Sequence, residues 1–381
     1  MVIGQFVDTY PPCVDGVGRV TQSYCETLTA MGHTAWYIAP DSAGTVAESE
    51  YGFPVLLQKS LKVPGELFRM GLPAIDARYR RRLDAIPFDI VHAQSPFVAG
   101  EEALRIARKR RVPLVTTFHS KYYQDFYDKT KSHAIARGVV NHIVRFYNRC
   151  DGVWTVNNAT KEVLESYGYR GNILIMENGT DLESVSPAGQ RALDSRLTLD
   201  ERPVLLFVGQ HNYKKNLHGV LDACVQLKAQ GQPFQLVTAG DGPDMAAIRR
   251  EVEEKGLAEQ THLLGFLSNR EELMALYRRA SLLVFPSLYD NAPMVLREAA
   301  VMETPTVVVR GSCSAEGITD GENGFICDDE SGAAIARAVL RALPQTETVG
   351  RNARKTIPVP WEGILQKVVR EYERLIAEKR G

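Results

Sequence analysis

The chain of 381 residues predicts an α/β fold built as two doubly wound halves. Three observations point there. Short β-rich runs alternate with amphipathic helical runs from one end to the other. Most of these runs are continuously apolar, the mark of strands buried on both faces of a parallel sheet. The length also suffices for two domains, and a stretch dense in Gly, Ser, Pro and Asp, ENGTDLESVSPAG (177–189), supplies a join.

In the first half the expected strands are VIGQFV (2–7), TAWYIA (34–39), DIVHAQ (89–94), PLVTTF (113–118), GVWTV (152–156) and NILIM (172–176). In the second they are PVLLFVG (203–209), QLVTAG (235–240), HLLGF (262–266), SLLVF (281–285), TVVV (306–309) and GFIC (324–327). A final helical run, WEGILQKVVREYERLIAEK (361–379), follows the break TIPVP and is expected to pack back onto the first half. The expected divisions are therefore residues 1–180, 181–356 and a C-terminal helix from 357 to 381.

Hydrophobic residues make up 44% and charged residues 24%, ordinary for a globular protein. A net charge of -1 argues against a general nucleic-acid binder. Between Lys59 and Arg149, however, 18 Lys and Arg face 8 Asp and Glu, so this region is strongly basic. The six cysteines, at 13, 25, 150, 224, 313 and 327, form no CxxC pair or zinc spacing. Scattered cysteines suggest a reducing compartment without a disulfide framework. No charged leader followed by an apolar run opens the sequence, and no stretch of roughly 18 apolar residues could span a bilayer.

In open parallel sheets ligands bind beyond the carboxyl ends of the strands, so the segments following each strand carry the candidates. After 2–7, Gly16-Val17-Gly18 leads into a helix and allows close approach to backbone N–H groups. The dinucleotide fingerprint would place a third glycine at 21, where Thr21 stands, so the alternatives are an anion loop, a plain turn and a nicotinamide site. After 113–118 comes His119, at a position open to both a structural and a functional reading. After 203–209, Lys214 and Lys215 on a loop feeding a helix suit an anion, or form a solvated pair. Asp241-Gly242-Pro243, after 235–240, is a turn whose role the sequence leaves open.

After 281–285 comes PSLYDNAPMVLREAA (286–300). Pro293 suits the first helical position, and Met294, Val295, Ala299 and Met302 repeat along one face. Glu298 lies on that apolar face, where a carboxylate without a partner is costly. With Asp290 at the mouth of the loop, it suits sugar hydroxyls; the alternative is an ion pair with Arg297 or an interdomain arginine.

Together these segments resemble the retaining nucleotide-sugar glycosyltransferases of family 4, which have the GT-B fold: two Rossmann-like domains facing an interdomain cleft. The resemblance covers nearly the whole chain. It rests on FVGQHNYKKNL (207–217), AGDGP (239–243), LLGFLSNREEL (263–273), LVFPSLYDNAPMVLREAAVMETPTVVV (283–309) and GITDGENGFIC (317–327), with PPCVDGVGRV (11–20) and ENGTD (177–181) in the first half. It closely approaches the diacylglycerol glucosyltransferases at TFHSKYYQDF (117–126).

The resemblance implies a donor site in which Glu298 holds the nucleotide ribose and Asp290 lies by the donor sugar. Backbone N–H groups at Asn291 and Ala292 meet sugar and phosphate, Lys215 binds the diphosphate, Phe266 and Leu267 border the base, and Gly16 belongs to the phosphate loop. His119 contacts the transferred sugar, so His119, Lys215 and Asp290 are the expected catalytic set. Two positions depart from the family pattern. Gln210 replaces the usual Arg after F-V-G, with Lys214, His211 or Arg310 as substitutes for its charge, and Asp290 replaces a usual Glu.

The implied activity is retaining transfer of a hexose from a UDP-glucose-like donor to a membrane lipid such as diacylglycerol, without metal or other cofactor. Basic and aromatic segments at 61–83, 103–111 and 121–131 suit an anionic membrane, giving a cytoplasmic protein peripheral on the inner membrane face. A soluble or lipid-linked saccharide acceptor, or a catalytically weak nucleotide-sugar-binding protein, are the alternatives.

Overall fold

The alternation of β-rich and helical runs becomes two parallel sheets in a computed structural model that describes residues 1–10, 16–42, 51–63, 69–182 and 184–381. Strands of the first sheet are β1 (Val2–Phe6), β2 (Thr34–Pro40), β3 (Val55–Gln58), β6 (Ile90–Ala93), β7 (Leu114–Phe118), β8 (Gly152–Thr155) and β9 (Leu174–Ile175). Between β3 and β6 lie β4 (Ser60–Lys62) and β5 (Arg69–Gly71), which form a separate antiparallel pair. The second sheet holds β10 (Val204–Val208), β11 (Gln235–Ala239), β12 (Thr261–Leu263), β13 (Leu282–Val284), β14 (Thr306–Val309) and β15 (Phe325–Cys327).

Both sheets are parallel throughout. Their orders are β3-β2-β1-β6-β7-β8-β9 and β12-β11-β10-β13-β14-β15. Each is doubly wound: the chain runs outward one way, returns to the centre and runs outward the other way. The order reverses between β1 and β6 in the first sheet and between β10 and β13 in the second, and at such a reversal adjacent loops diverge and leave a crevice. The predicted fold class is thus observed. All twelve expected strands form: Thr306–Val309 has the expected ends, and the others are shifted by a residue or more. The edge strand β3 and the pair β4 and β5 add to them.

The continuous apolar runs have the physical cause assigned to them. Leu205 and Phe207 of β10 join one buried cluster, while Val204, Leu206 and Val208 join the cluster on the opposite face. The first sheet differs. One face packs Phe6, Val91, Ala93, Leu114 and Phe118 into an apolar cluster. The register pairs Gln5 with His92 and Thr117 with Trp154 on the alternate residues, so the other face carries buried polar groups.

The chain divides into two compact units, Met1–Gly179 with Trp361–Gly381, and Thr180–Pro360. The helix Trp361–Arg380 therefore belongs to the first unit. Its buried stripe, Trp361, Ile364, Leu365, Val368, Tyr372 and Leu375, follows helical spacing. Trp361 meets Tyr24 edge-on at 5.8 Å, and Lys379 and Arg380 pair with Asp151 and Asp89 at 2.7 and 3.1 Å. The five described cysteines are free; Cys13 lies outside the described residues. No helix among the described residues is long and apolar enough to cross a membrane.

Candidate functional site

In the second unit the loops after β10 and β13 flank the reversal. The β10 loop leaves through Gly209 and exposed Gln210, forms a short 3-10 turn at Tyr213–Lys215, and enters the helix Leu217–Ala229 at Asn216. Asn216 adopts the left-handed conformation, φ 57°. Its side chain accepts from Gly219 N at 3.2 Å and donates to the Glu330 carbonyl at 2.8 Å. One residue thus caps the helix and anchors the loop.

That anchoring delivers Lys215 to the β13 loop, where its ammonium donates to Asp290 Oδ1. Ser287 Oγ donates to Asp290 Oδ2 at 2.6 Å. The Lys215 and Asp290 side chains are 14% and 18% exposed: shielded enough for the charges to interact strongly, open enough to meet a ligand. Lys214 Nζ sits 4.5 Å above the Tyr289 ring, a cation–π contact, with Lys215 Nζ 5.6 Å away. Two cations and one carboxylate thus meet at the end of the sheet.

The neighbouring β11 loop explains AGDGP structurally. Gly240 has φ +140°, and a Cβ there would lie 1.9 Å from the Gly209 carbonyl oxygen. At Gly242 a Cβ would come within 2.3 Å of the His211 carbonyl oxygen. These glycines let the β11 loop lie against the backbone of the β10 loop. His211 is buried beneath this contact, with Nε2 3.0 Å from Thr238 Oγ1. Burial lowers its pKa, so it is not the cation that would substitute for an arginine at Gln210. Arg310 pairs with Asp328 at 3.2 Å, and Gln210 itself accepts from Asn212 at 2.7 Å. Of the three, Lys214 is the one that stands beside Lys215, over the same Tyr289 ring.

Pro293 is the N-cap of the helix Met294–Val301, one position before its expected place, and no side chain caps that terminus. Asn291 and Ala292 bridge Asp290 to it, both partly buried. Glu298 is 8% exposed and is fully engaged: Arg270 Nη1 donates to Oε1 at 2.9 Å, and Tyr277 Oη donates to Oε2 at 3.0 Å. Burial, then the Glu298 charge, hold the Tyr277 phenol well above its ordinary pKa, so it stays a donor. The ion pair of the alternative reading is thus present, made by Arg270 of the same unit. Arg270 also lies 3.6 Å from Asp181. Beyond β12, Phe266 is 59% exposed and Leu267 is 8% exposed.

After the helix Met294–Val301 the chain turns at Glu303 in the left-handed region. Its φ is +62°, a conformation glycine adopts without strain. Its carboxylate meets Arg278 at 3.1 Å and Arg354 at 4.0 Å, so exposed ion pairs partly offset the backbone strain. Asn323, within GITDGENGFIC, closes its own turn, accepting from Thr319 N at 2.7 Å and donating to the Gly317 carbonyl at 3.1 Å.

At the reversal of the first sheet the groups are different. Asp8, just after β1, accepts from Ser95 Oγ and, at 3.0 Å, from Ala99 N near the start of the helix Val98–Arg110. His119 Nε2 lies 2.8 Å from Gln94 Oε1, and burial pushes its pKa down to about 4. Of the predicted glycine loop, residues 11–15 lie outside the described residues; Gly16 opens the helix Gly16–Ala30. Asp8, Ser95 and Gln94 are not among the residues the sequence singles out. A signal for them exists all the same: each lies at or just beyond the carboxyl end of a central strand. Among the described residues, no three His, Cys, Asp or Glu side chains converge as a metal would require.

A reversal point lined by cations, hydroxyl acceptors and an uncapped helix terminus defines a nucleotide-binding α/β enzyme class in which the sheet ends hold a phosphorylated ligand. Residues 14–184 match the family described as Glycosyltransferase Family 4, and residues 190–356 match Glycosyl transferases group 1. The chain belongs to these families, as a glycosyltransferase of the GT-B fold acting on a nucleotide sugar.

Among its relatives is the alpha-monoglucosyldiacylglycerol synthase of Acholeplasma laidlawii, 25% identical over 93% of this chain and 92% of that one. The GDP-mannose-dependent alpha-mannosyltransferase of Corynebacterium glutamicum is 24% identical over 99% and 90%. Among solved structures, Anabaena HepE in complex with UDP and glucose superposes with a TM-score of 0.79 at 18% identity, covering 98% of this chain and 99% of that one. At that identity the likeness carries the fold alone.

Proposed function

We propose that this enzyme moves a hexose, with retention, from UDP-glucose to the hydroxyl of a membrane lipid such as diacylglycerol, without a metal ion. The observation that carries the donor half is the Lys215–Asp290–Ser287 constellation at the β10/β13 reversal. An arriving diphosphate competes with Asp290 for Lys215 and frees the carboxylate to accept sugar hydroxyls. Glu298 holds the ribose, and Phe266 and Leu267 border the base. His119 contacts the transferred sugar.

In the reaction the anomeric C–O bond breaks with its electron pair passing to the departing phosphate oxygen. The acceptor oxygen bonds to the same face, and its proton passes to that phosphate oxygen. Lys215 stabilises the negative charge that develops there, with Lys214 beside it. This reading uses no protein base.

The lipid acceptor is supported by the name of the Acholeplasma relative and by the basic excess at 59–149. The structure redistributes that excess. Within 103–111, Arg105 and Lys109 pair with Asp84 at 2.8 and 2.6 Å, and Arg105 with Glu102 at 3.2 Å. Support from charge thus falls more on 121–147, where Tyr123, Tyr127 and His133 stack on one surface. The pairing of Arg105 and Lys109 within 103–111 favours a second reading, a saccharide acceptor.

The deciding experiment measures nucleoside diphosphate release from UDP-glucose, ADP-glucose and GDP-mannose, with EDTA, against diacylglycerol in anionic or neutral vesicles and against soluble glucosides. UDP-glucose turnover to an α-linked lipid, stimulated by anionic vesicles and indifferent to EDTA, is expected. Turnover only with soluble saccharides overturns the lipid acceptor; loss of turnover in EDTA overturns metal independence.

A further inference from the structure

Beneath the helix Trp361–Arg380, the first sheet buries a continuous hydrogen-bonded chain. It runs from His119 through Gln94, Gln5, Tyr372 and His92 to Thr117. Gln5, Gln94, His92, Thr117 and Tyr372 are all 3% exposed or less, so water cannot randomise the donors and acceptors. Each link constrains the next. Gln94 Nε2 donates to Gln5 Oε1 at 2.9 Å, which turns Gln94 Oε1 towards His119 Nε2, 2.8 Å away. An amide oxygen only accepts, so His119 carries its proton on Nε2.

The same logic runs the other way. With its oxygen occupied, Gln5 donates through Nε2 to Tyr372 Oη at 3.2 Å. The Tyr372 hydroxyl hydrogen is then directed to His92 Nδ1 at 2.6 Å, and His92 Nε2 donates to Thr117 Oγ1 at 2.8 Å. Burial keeps His92 neutral, which preserves Nδ1 as an acceptor. The Tyr372 ring is held independently, stacked on Trp154 at 5.6 Å and 14°. Its hydroxyl is the one group in the chain supplied by the C-terminal helix.

We propose that Tyr372 is a positioning residue for His119, setting through Gln5 and Gln94 which ring nitrogen carries the proton and how the imidazole is turned. The inference rests on the reading that His119 contacts the transferred sugar. A ring protonated at Nε2 can act at Nδ1 only as an acceptor, and a ring that changes tautomer does so only part of the time. It also gives the helix, which follows the whole second unit in sequence, a role in the chemistry of the first.

The test uses the full chain labelled with 15N-histidine, with His119→Asn to assign the resonance. At pH 7 His119 is expected as a single Nε2–H tautomer. Tyr372→Phe keeps the ring and removes the hydroxyl: the tautomers should mix, and kcat should fall about tenfold, with UDP affinity unchanged. In the His119→Asn background Tyr372→Phe should cost no further kcat.

A predominant Nδ1–H tautomer in the unaltered protein overturns the inference. So does an equal loss of kcat from Tyr372→Phe with and without His119, which would mark a role in packing alone. Gln5→Leu breaks the same chain and serves if Tyr372→Phe does not fold. Absence of turnover by the unaltered protein with every nucleotide sugar counts against the proposed function, while the tautomer measurement still decides the positioning inference.

Discussion

The two sheets reverse in the same way but furnish their reversal points with opposite chemistry. In the first sheet the groups alongside are largely neutral and buried: amides, imidazoles and hydroxyls joined end to end, with Asp8 as the charged exception. In the second they are ionic: Lys215 against Asp290, both partly exposed, and partly exposed Arg270 against buried Glu298. The contrast follows from solvation. A buried network tolerates dipoles but not unpaired charges, so it holds geometry. Charges at the edge of solvent keep their strength and can exchange one partner for a ligand.

The sharpest way to break this comparison is at Lys215. Lys215→Ala should lower turnover by about 10²- to 10³-fold, measured as initial rate with saturating UDP-glucose, while the melting temperature changes little. A rate within about threefold of the unaltered enzyme would remove Lys215 from the leaving-group role.

Next comes Glu298→Gln, which keeps the shape and removes one charge-assisted contact. Donor affinity should weaken about 10-fold or more, read by calorimetry with UDP. Stability should also fall by about 1–3 kcal/mol, because the Arg270 pairing and the Tyr277 bond both weaken. Unchanged affinity beside lowered stability would leave Glu298 a structural anchor only.

For the first sheet the informative variable is pH. His119 and His92 have folded pKa values below the ordinary 6.5, that of His119 at about 4. As pH falls through 6.5 the unfolded imidazoles take up protons that the folded ones refuse. Stability is therefore full above about pH 6.5 and declines towards pH 4. His119 alone should contribute about 1–2 kcal/mol of loss between pH 7 and 5 after allowance for its partial exposure. Urea unfolding at the two pH values checks this, and His119→Asn should flatten the slope.

The smallest effect separates strain from charge. Glu303→Gly relieves the positive φ but loses exposed pairs to Arg278 and Arg354. A net gain of about 0.5 kcal/mol is expected, read as a raised urea midpoint. A loss would show the ion pairs outweigh the strain.

Much of this was legible in the chain itself. Apolar runs such as VLLFV and TVVV could only be strands covered on both faces, and twelve such runs gave the fold class. The loop residues after those strands could be picked out because sheet topology dictates where ligands gather. The strand Val55–Gln58 is not among the expected runs; its apolar stretch Val55-Leu56-Leu57 ends at Gln58. It is a strand because β2 offers an edge, pairing Tyr37 with Val55 and Ala39 with Leu57.

Sequence by itself determined the elements, their order and the residue types at the strand ends, since those depend on spacing and composition. Tertiary structure alone decided the partners. Glu298 is quieted by Arg270, 28 residues away. His119 is linked through Gln94 and Gln5 to Tyr372 on the C-terminal helix, at the far end of the sequence. The physical reason is that a hydrogen bond or ion pair depends on distance and direction in space, and burial, which sets its strength, is a property of everything packed around it.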